Sequence, residues 1–161
     1  MNASGNQLWK AWLPAFIWLG VIALESTDLA GAAETGHLLY PIFHFLFGVD
    51  PFRFETWHHY IRKTGHCVGY GLLSWLFFRG WRATLPFSKP RRWSFRWAAI
   101  AFFSTALVAS LDEWHQTYLP SRTGRWQDAV LDSWAALAVQ VLLWLILRRH
   151  QASNSTLANN Q

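Results

Sequence analysis

The sequence predicts an all-α membrane protein, a four-transmembrane-helix bundle with an outer interfacial or re-entrant segment. Three observations predict it. Of 161 residues, 52% are hydrophobic, 12 are Trp, 12 are Phe and only 14% are charged, where a water-soluble domain carries roughly a quarter. Four stretches reach the ~20 residues that a helix needs to cross the hydrocarbon core. AIAFFSTALVASL and AALAVQVLLWLIL are apolar nearly all round, and so lack the polar outer face of a helix in a soluble bundle.

The first span runs from about Leu8 to Thr27. Lys10 before an apolar run opens like a signal peptide, but LESTDLAGA is a weak processing site, and an uncleaved span is expected. An outer loop of about 36 residues follows. Within it LLYPIFHFLFGV, residues 38–49, is too short to span as a helix and too apolar to lie in water, so it is expected to rest in the interface or dip into the bundle. DPFRFETWHHYIRKTGH, residues 50–66, then becomes helical, with Pro51 suited to a helix start. The remaining spans are expected at Thr64 to Arg82, Trp93 to Trp114 and Ala129 to Leu147. Residues 1–150 read as one transmembrane domain, and QASNSTLANNQ, 151–161, as a disordered polar tail. Trp9, Trp12, Trp57, Trp81, Trp93, Trp97, Trp114 and Trp126 lie near the predicted boundaries and are expected to anchor them. Gly65, Gly69 and Gly71 are expected to permit close packing around the second span.

Charge sets the expected orientation. One side holds Lys10, then Arg79, Arg82, Lys89, Arg91, Arg92 and Arg96, then Arg148 and Arg149, without an acid. The other holds all nine acids with five bases, so the net +5 splits into +9 and −4. The positive-inside rule places both termini and the Arg-rich middle loop in the cytoplasm. That loop reads as a topology signal that meets anionic headgroups, not as a nucleic-acid site. The lone Cys67 excludes an intramolecular disulfide and a Cys-based zinc cluster, and no phosphate loop or dinucleotide fingerprint is present. The middles of the spans carry little polar material, which argues against a transport path.

Polar side chains gather instead at the outer ends of three spans. Arg62, His66 and Tyr70 share one helical face, with Lys63 beside His66. Asp112 shares a face with Gln116 and with His115, and Glu113 with Gln116; Pro120 ends that helix. Asp128 and Asp132 follow at i,i+4. Ionisable groups at this depth face a bundle interior or an aqueous cavity. Two readings follow. In one, opposite charges clamp the helix ends, Arg122 and Arg125 with the carboxylates, or Arg62 and Lys63 with Asp112 or Glu113. In the other, Arg62, Lys63 and Arg122 hold an anionic headgroup and Tyr70, Gln116 and Asp132 complete the binding set, either with His66, Glu113, Asp112 and Asp128 carrying proton transfer for a phosphoester reaction or as a non-catalytic lipid-binding or envelope-interaction protein that breaks no bond. No clear motif requires a cofactor, although His66 or His115 with Asp112, Glu113 or Asp128 supplies donors for a divalent metal. Glu25 and Asp28 end the first span at the same level. The expected partner is an anionic membrane lipid, with no nucleic acid and no protein partner named by the sequence.

Lys63 to Tyr70, KTGHCVGY, and Asp112 to Ala135, DEWHQTYLPSRTGRWQDAVLDSWA, resemble the two signatures of the VanZ-like family of small membrane proteins. The family pattern has a Lys three residues before a His and a Tyr four after it, matched by Lys63, His66 and Tyr70. It continues with a Glu, a Gln three later, a Pro and an Arg, matched by Glu113, Gln116, Pro120 and Arg122. It closes on an Asp, an Asn and a Gly, where this chain has Asp128, Asp132 and Ala135. The last two are departures: the first adds a carboxylate and the second a methyl group at a close helix contact. The resemblance implies a place in the bacterial cell envelope; family members are linked to resistance against the glycopeptide teicoplanin.

Overall fold

The structure, a computed structural model, describes residues 5–27, 31–85, 92–120, 122 and 124–158. It is all-α, with five helices: α1 (Gly5–Glu25), α2 (Ala32–Phe47), α3 (Pro51–Thr84), α4 (Phe95–Gln116) and α5 (Trp126–Ala158). α5 continues into the stretch that the sequence marks as a polar tail. Asp28 lies outside the described residues.

Two starts are fixed locally. The Asp50 carboxylate accepts the Phe52 and Arg53 N–H groups with Pro51 behind it, and Ser94 Oγ accepts from Arg96 N; each satisfies donors that the first turn leaves without partners. α2 ends on Gly48, whose φ of 61° is the left-handed conformation that glycine reaches without a Cβ clash.

α3 is the hub, packed against each of the other helices. Its inner turns bury Tyr70, Gly71, Leu73, Ser74, Leu76, Phe77, Phe78 and Gly80 on nearly every side, as expected of a helix enclosed by neighbours. α1 runs antiparallel to it. Trp12 Nε1 donates to Thr84 Oγ1 at 2.8 Å and Trp18 Nε1 to the Gly69 carbonyl at 2.9 Å. Gly80 makes the first contact possible, since a Cβ there would stand 2.8 Å from the Trp12 ring. α4 buries Ala98, Ala101, Thr105 and Ala109, and α5 buries Ala129, Asp132, Ala136 and Gln140. Both stripes step by three or four residues, which puts small side chains where helix backbones approach in a membrane bundle.

Three helices, Gly5–Glu25, Phe95–Gln116 and Trp126–Arg148, are long and apolar enough to cross a bilayer. Their outer faces expose Phe16, Ile17, Leu24, Phe103, Leu107, Leu142 and Ile146. The chain is therefore a multi-pass membrane protein. α3, expected as a further span, falls outside that set because its polar groups lower its hydropathy, and it is the helix that the bundle encloses.

Several expectations are corrected. Trp97 is buried in the core with its N–H on the Leu85 carbonyl at 2.8 Å, and Trp12, partly buried, packs edge-on to Trp81 against that core; Trp9, Trp57, Trp114 and Trp126 are exposed. Gly65 faces open space, whereas a Cβ on Gly71 would come within 3.2 Å of Val139. The middle of the bundle is also not uniformly apolar. Gln140 Nε2 donates to Ser74 Oγ at 2.7 Å and to the Ser74 carbonyl at 3.0 Å, and Ser74 Oγ donates to the Ala136 carbonyl at 3.2 Å, a polar staple between α3 and α5.

The α4–α5 connection is held by a glycine. A Cβ on Gly124 would lie 2.2 Å from the Glu113 carbonyl oxygen and 2.8 Å from Thr117, too close for any side chain. Gly124→Ala is expected to push the connection off the end of α4 and lower stability by about 1–3 kcal/mol, read as a fall in the thermal midpoint of the detergent-solubilised protein; an unchanged midpoint would show that the contact relaxes freely.

Candidate functional site

The positions of these helices bring their polar ends to one level. α3 contributes Arg62, Lys63 and His66, α4 contributes Glu113 and Gln116, and α5 contributes Asp128 and Asp132, all lining one cleft of about 570 Å³. Arg122 lines it from the α4–α5 connection. The far wall is Ala32 and the first turns of α3, where Phe52, Glu55, Thr56, His58, His59 and Tyr60 face the same space. Four carboxylates and three Lys or Arg side chains meet here.

Their pairing differs from the expected clamp. Lys63 Nζ reaches Asp128 Oδ1 at 2.7 Å, not Asp112 or Glu113, because both of those already have donors. Asp112 Oδ2 accepts from Tyr70 Oη at 2.8 Å and from Gln116 Nε2 at 3.1 Å. Glu113 Oε2 accepts the Arg125 backbone N–H at 2.8 Å. Asp112 and Tyr70 therefore sit outside the cleft lining and tie α3 to α4. Arg122 Nη2 donates to the Glu25 and Thr27 carbonyls, the latter at 2.9 Å, satisfying acceptors that the end of α1 leaves open. His115 also turns to α1, sharing a hydrogen bond of 3.2 Å with Ser26 Oγ.

Asp132 is the most deeply placed group of the cleft, 2% exposed. His66 Nδ1 stands 3.9 Å from its Oδ2, while Oδ1 is buried and has no hydrogen-bond partner; Arg122 Nε is likewise buried and unpartnered. Arg62 Nη1 donates to Thr35 Oγ1 at 3.4 Å. Burial, and next the nearby Arg122 charge, lower the Arg62 guanidinium from its ordinary value, with Glu25 acting in the opposite sense. Among the described residues no three His, Cys, Asp or Glu side chains come together as a metal site.

The sequence reading missed the upper wall. Glu55, His59, Arg62 and His66 follow one another by three or four residues, a shared helical face that was legible in ETWHHYIRKTGH. His58 faces α2 as well: it shares a 3.0 Å hydrogen bond with Thr35 Oγ1 and stacks on Phe54.

Fold and cleft together define a small multi-pass helical membrane protein with a mixed-charge cleft at one end of its bundle. The chain belongs to the VanZ/LLP1 family, whose sequence model matches residues 11–148. No curated protein and no solved structure matches it.

Tyr70→Phe leaves the buried Asp112 carboxylate one donor short and is expected to lower stability by about 1–2 kcal/mol, measured as a thermal shift; a wild-type midpoint would mean that the bond contributes nothing net. Burial, followed by the Arg62 charge, lowers the His58 pKa. The folded chain therefore binds fewer protons at this site than the unfolded one, and the stability is present above the ordinary histidine value of ~6.5 and is lost on acidification. Amide exchange in α2, corrected for intrinsic rates, is expected to accelerate between pH 7.5 and 5 in the wild type and not in His58→Gln; equal acceleration in both would remove His58 as the cause.

Proposed function

We propose that this protein binds the anionic group of a lipid headgroup or cell-envelope lipid intermediate in the cleft at the outer face of a bacterial cytoplasmic membrane. The observation that carries the reading is the convergence of Arg62, Lys63 and Arg122 on one cleft beside three membrane-length apolar helices. A headgroup phosphate placed there meets charge-assisted donors, and the mutual repulsion that lowers Arg62 beside Arg122 is relieved by an anion between them.

In this arrangement α3 is the fourth span and both termini are cytoplasmic. Support comes from the segregation of charge: Lys10, Arg79, Arg82 and Arg96 lie at the end where the Arg79 guanidinium meets the Lys10 carbonyl at 2.6 Å, and the cleft lies at the other. α2 is the outer interfacial element. Its 16 residues make a helix of ~24 Å, shorter than the hydrocarbon core. Tyr40 and Phe43 pack edge-on against Phe54 while Leu38, Ile42, Phe45 and Phe47 stay exposed.

A second reading, in which the same cleft hydrolyses or transfers a phosphoester, is favoured by the His66–Asp132 approach of 3.9 Å. A carboxylate behind an imidazole orients it for proton transfer. Glu113, on the same cleft, would then receive the proton of the attacking water or hydroxyl. Headgroup release by purified protein, abolished by His66→Gln, would establish this reading; stoichiometric lipid recovered unchanged would leave a binder.

Native mass spectrometry on protein gently extracted from its membrane tests the common core of both readings. A defined phosphate-bearing lipid is expected on wild type and lost from Glu113→Ala and Arg122→Ala, each by about tenfold or more. Equal, nonselective lipid on all three would reduce the cleft to a clamp between helix ends.

A further inference from the structure

The cleft offers more than cation for an anion. Its carboxylates, Glu55, Glu113, Asp128 and Asp132, outnumber its Lys and Arg side chains, Arg62, Lys63 and Arg122. A ligand with negative charge alone would be repelled by that surplus. Two of the carboxylates are committed within the protein: Asp128 to Lys63 Nζ and Glu113 to the Arg125 N–H. Asp132 is different. It is 2% exposed, yet Oδ1 has no donor, and the His66 ring stands 3.9 Å from its Oδ2.

A buried carboxylate oxygen left without a donor is destabilising, and a native structure retains such a group where something else completes it. Arg122, which lines the same cleft, has the complementary vacancy: its buried Nε–H has no acceptor. A ligand that completes both must present an acceptor and a donor on one small framework.

We infer that the cleft takes a headgroup carrying a phosphate and a primary ammonium group together, the phosphate against Arg122 and the ammonium against Asp132. This rests on the reading of the cleft as a lipid-headgroup site and adds the chemical class. A phosphoethanolamine-type headgroup satisfies it: its ammonium has three N–H donors for Asp132 Oδ1, and its phosphate oxygens accept from Arg122. Phosphocholine carries the same charges without an N–H and leaves Asp132 Oδ1 as it was. Phosphatidic acid brings the phosphate and nothing for Asp132. Gln116, on the same lining, already donates through Nε2 to Asp112, which leaves its carbonyl oxygen as a further acceptor for an ammonium.

The test is a competition on the full chain in detergent micelles, with equimolar phosphatidylethanolamine, phosphatidylcholine and phosphatidic acid of identical acyl chains, read by native mass spectrometry. Wild type is expected to retain phosphatidylethanolamine about tenfold over phosphatidylcholine and over phosphatidic acid, and Asp132→Asn to bring the first ratio close to one. Arg122→Ala is expected to lose the phosphatidylethanolamine that wild type retains. If wild type holds phosphatidylcholine or phosphatidic acid as well as phosphatidylethanolamine, and Arg122→Ala loses them, the cleft reads phosphate alone; the inference then fails while the headgroup reading stands. If retention of every lipid is independent of Arg122, both fail. The wild-type ratio decides the matter even if Asp132→Asn does not fold.

Discussion

The buried Asp112 carboxylate is the constraint on which the rest of the polar end depends. At membrane depth a carboxylate without partners costs several kcal/mol, and Asp112 is completed by one donor from α3 and one from its own helix, Tyr70 and Gln116. The Tyr70 bond fixes how far α3 and α4 slide past each other, and the Gln116 bond holds the carboxylate in place on its own helix. With that register set, Glu113, the next residue on α4, is turned to the Arg125 N–H and the α4–α5 connection. Gly124 then brings that connection onto the end of α4, and α5 starts at the height where Asp128 meets Lys63 and Asp132 meets His66. The cleft is therefore what remains when the helices are locked by bonds lying just below it.

The bundle holds together without a hydrophobic driving force between spans, since lipid tails are as apolar as leucine. Close approach of small residues takes its place. Ala98, Ala101, Thr105 and Ala109 on α4 and Ala129 and Ala136 on α5 let the backbones near α3, and the Ser74–Gln140 bonds add a directional contact in the middle. Ala135 replaces the glycine of the VanZ-like pattern without opening the contact, because the facing residue on α3 is Gly71, whose absent side chain leaves the Ala135 carbonyl 3.9 Å from where a Cβ would be.

Much of this was legible in the sequence because membrane helices obey two simple periodicities. Apolar runs of span length gave α1, α4 and α5, and i,i+4 spacing put Arg62 and His66 on one lining and Asp128 and Asp132 on another. What spacing could not give was direction between helices. Tyr70 shares the Arg62–His66 face yet bonds Asp112 below the cleft, and Asp112 and His115 share a face yet one meets α3 and the other α1. Charge pairing was misassigned for the same reason: the sequence shows which acids and bases reach a level, whereas backbone donors such as the Arg125 N–H, and backbone acceptors such as the Glu25 carbonyl, are present at every residue and carry no sequence signal. Trp12 and Trp97 were read as interface anchors because composition marks a boundary but not which side of the helix faces lipid.

The proposed depth of the cleft follows from the length of α3. Its 34 residues extend ~51 Å, against a hydrocarbon core of ~30 Å. The surplus, about 20 Å, belongs at the end that contains Arg53, Glu55, His58, His59 and Arg62, since the opposite end ends within a turn of the Arg79 to Thr84 contacts with α1. Lys63 and His66 then fall where hydrocarbon gives way to headgroups, and the first turns of α3, with Thr35 of α2 bonded to His58 and Arg62, stand above them as a wall. In the proposed arrangement a lipid of the adjoining leaflet would meet the cleft with its phosphate at the height of Arg62 and Arg122, so that no part of its headgroup would need to leave the depth it occupies in the bilayer.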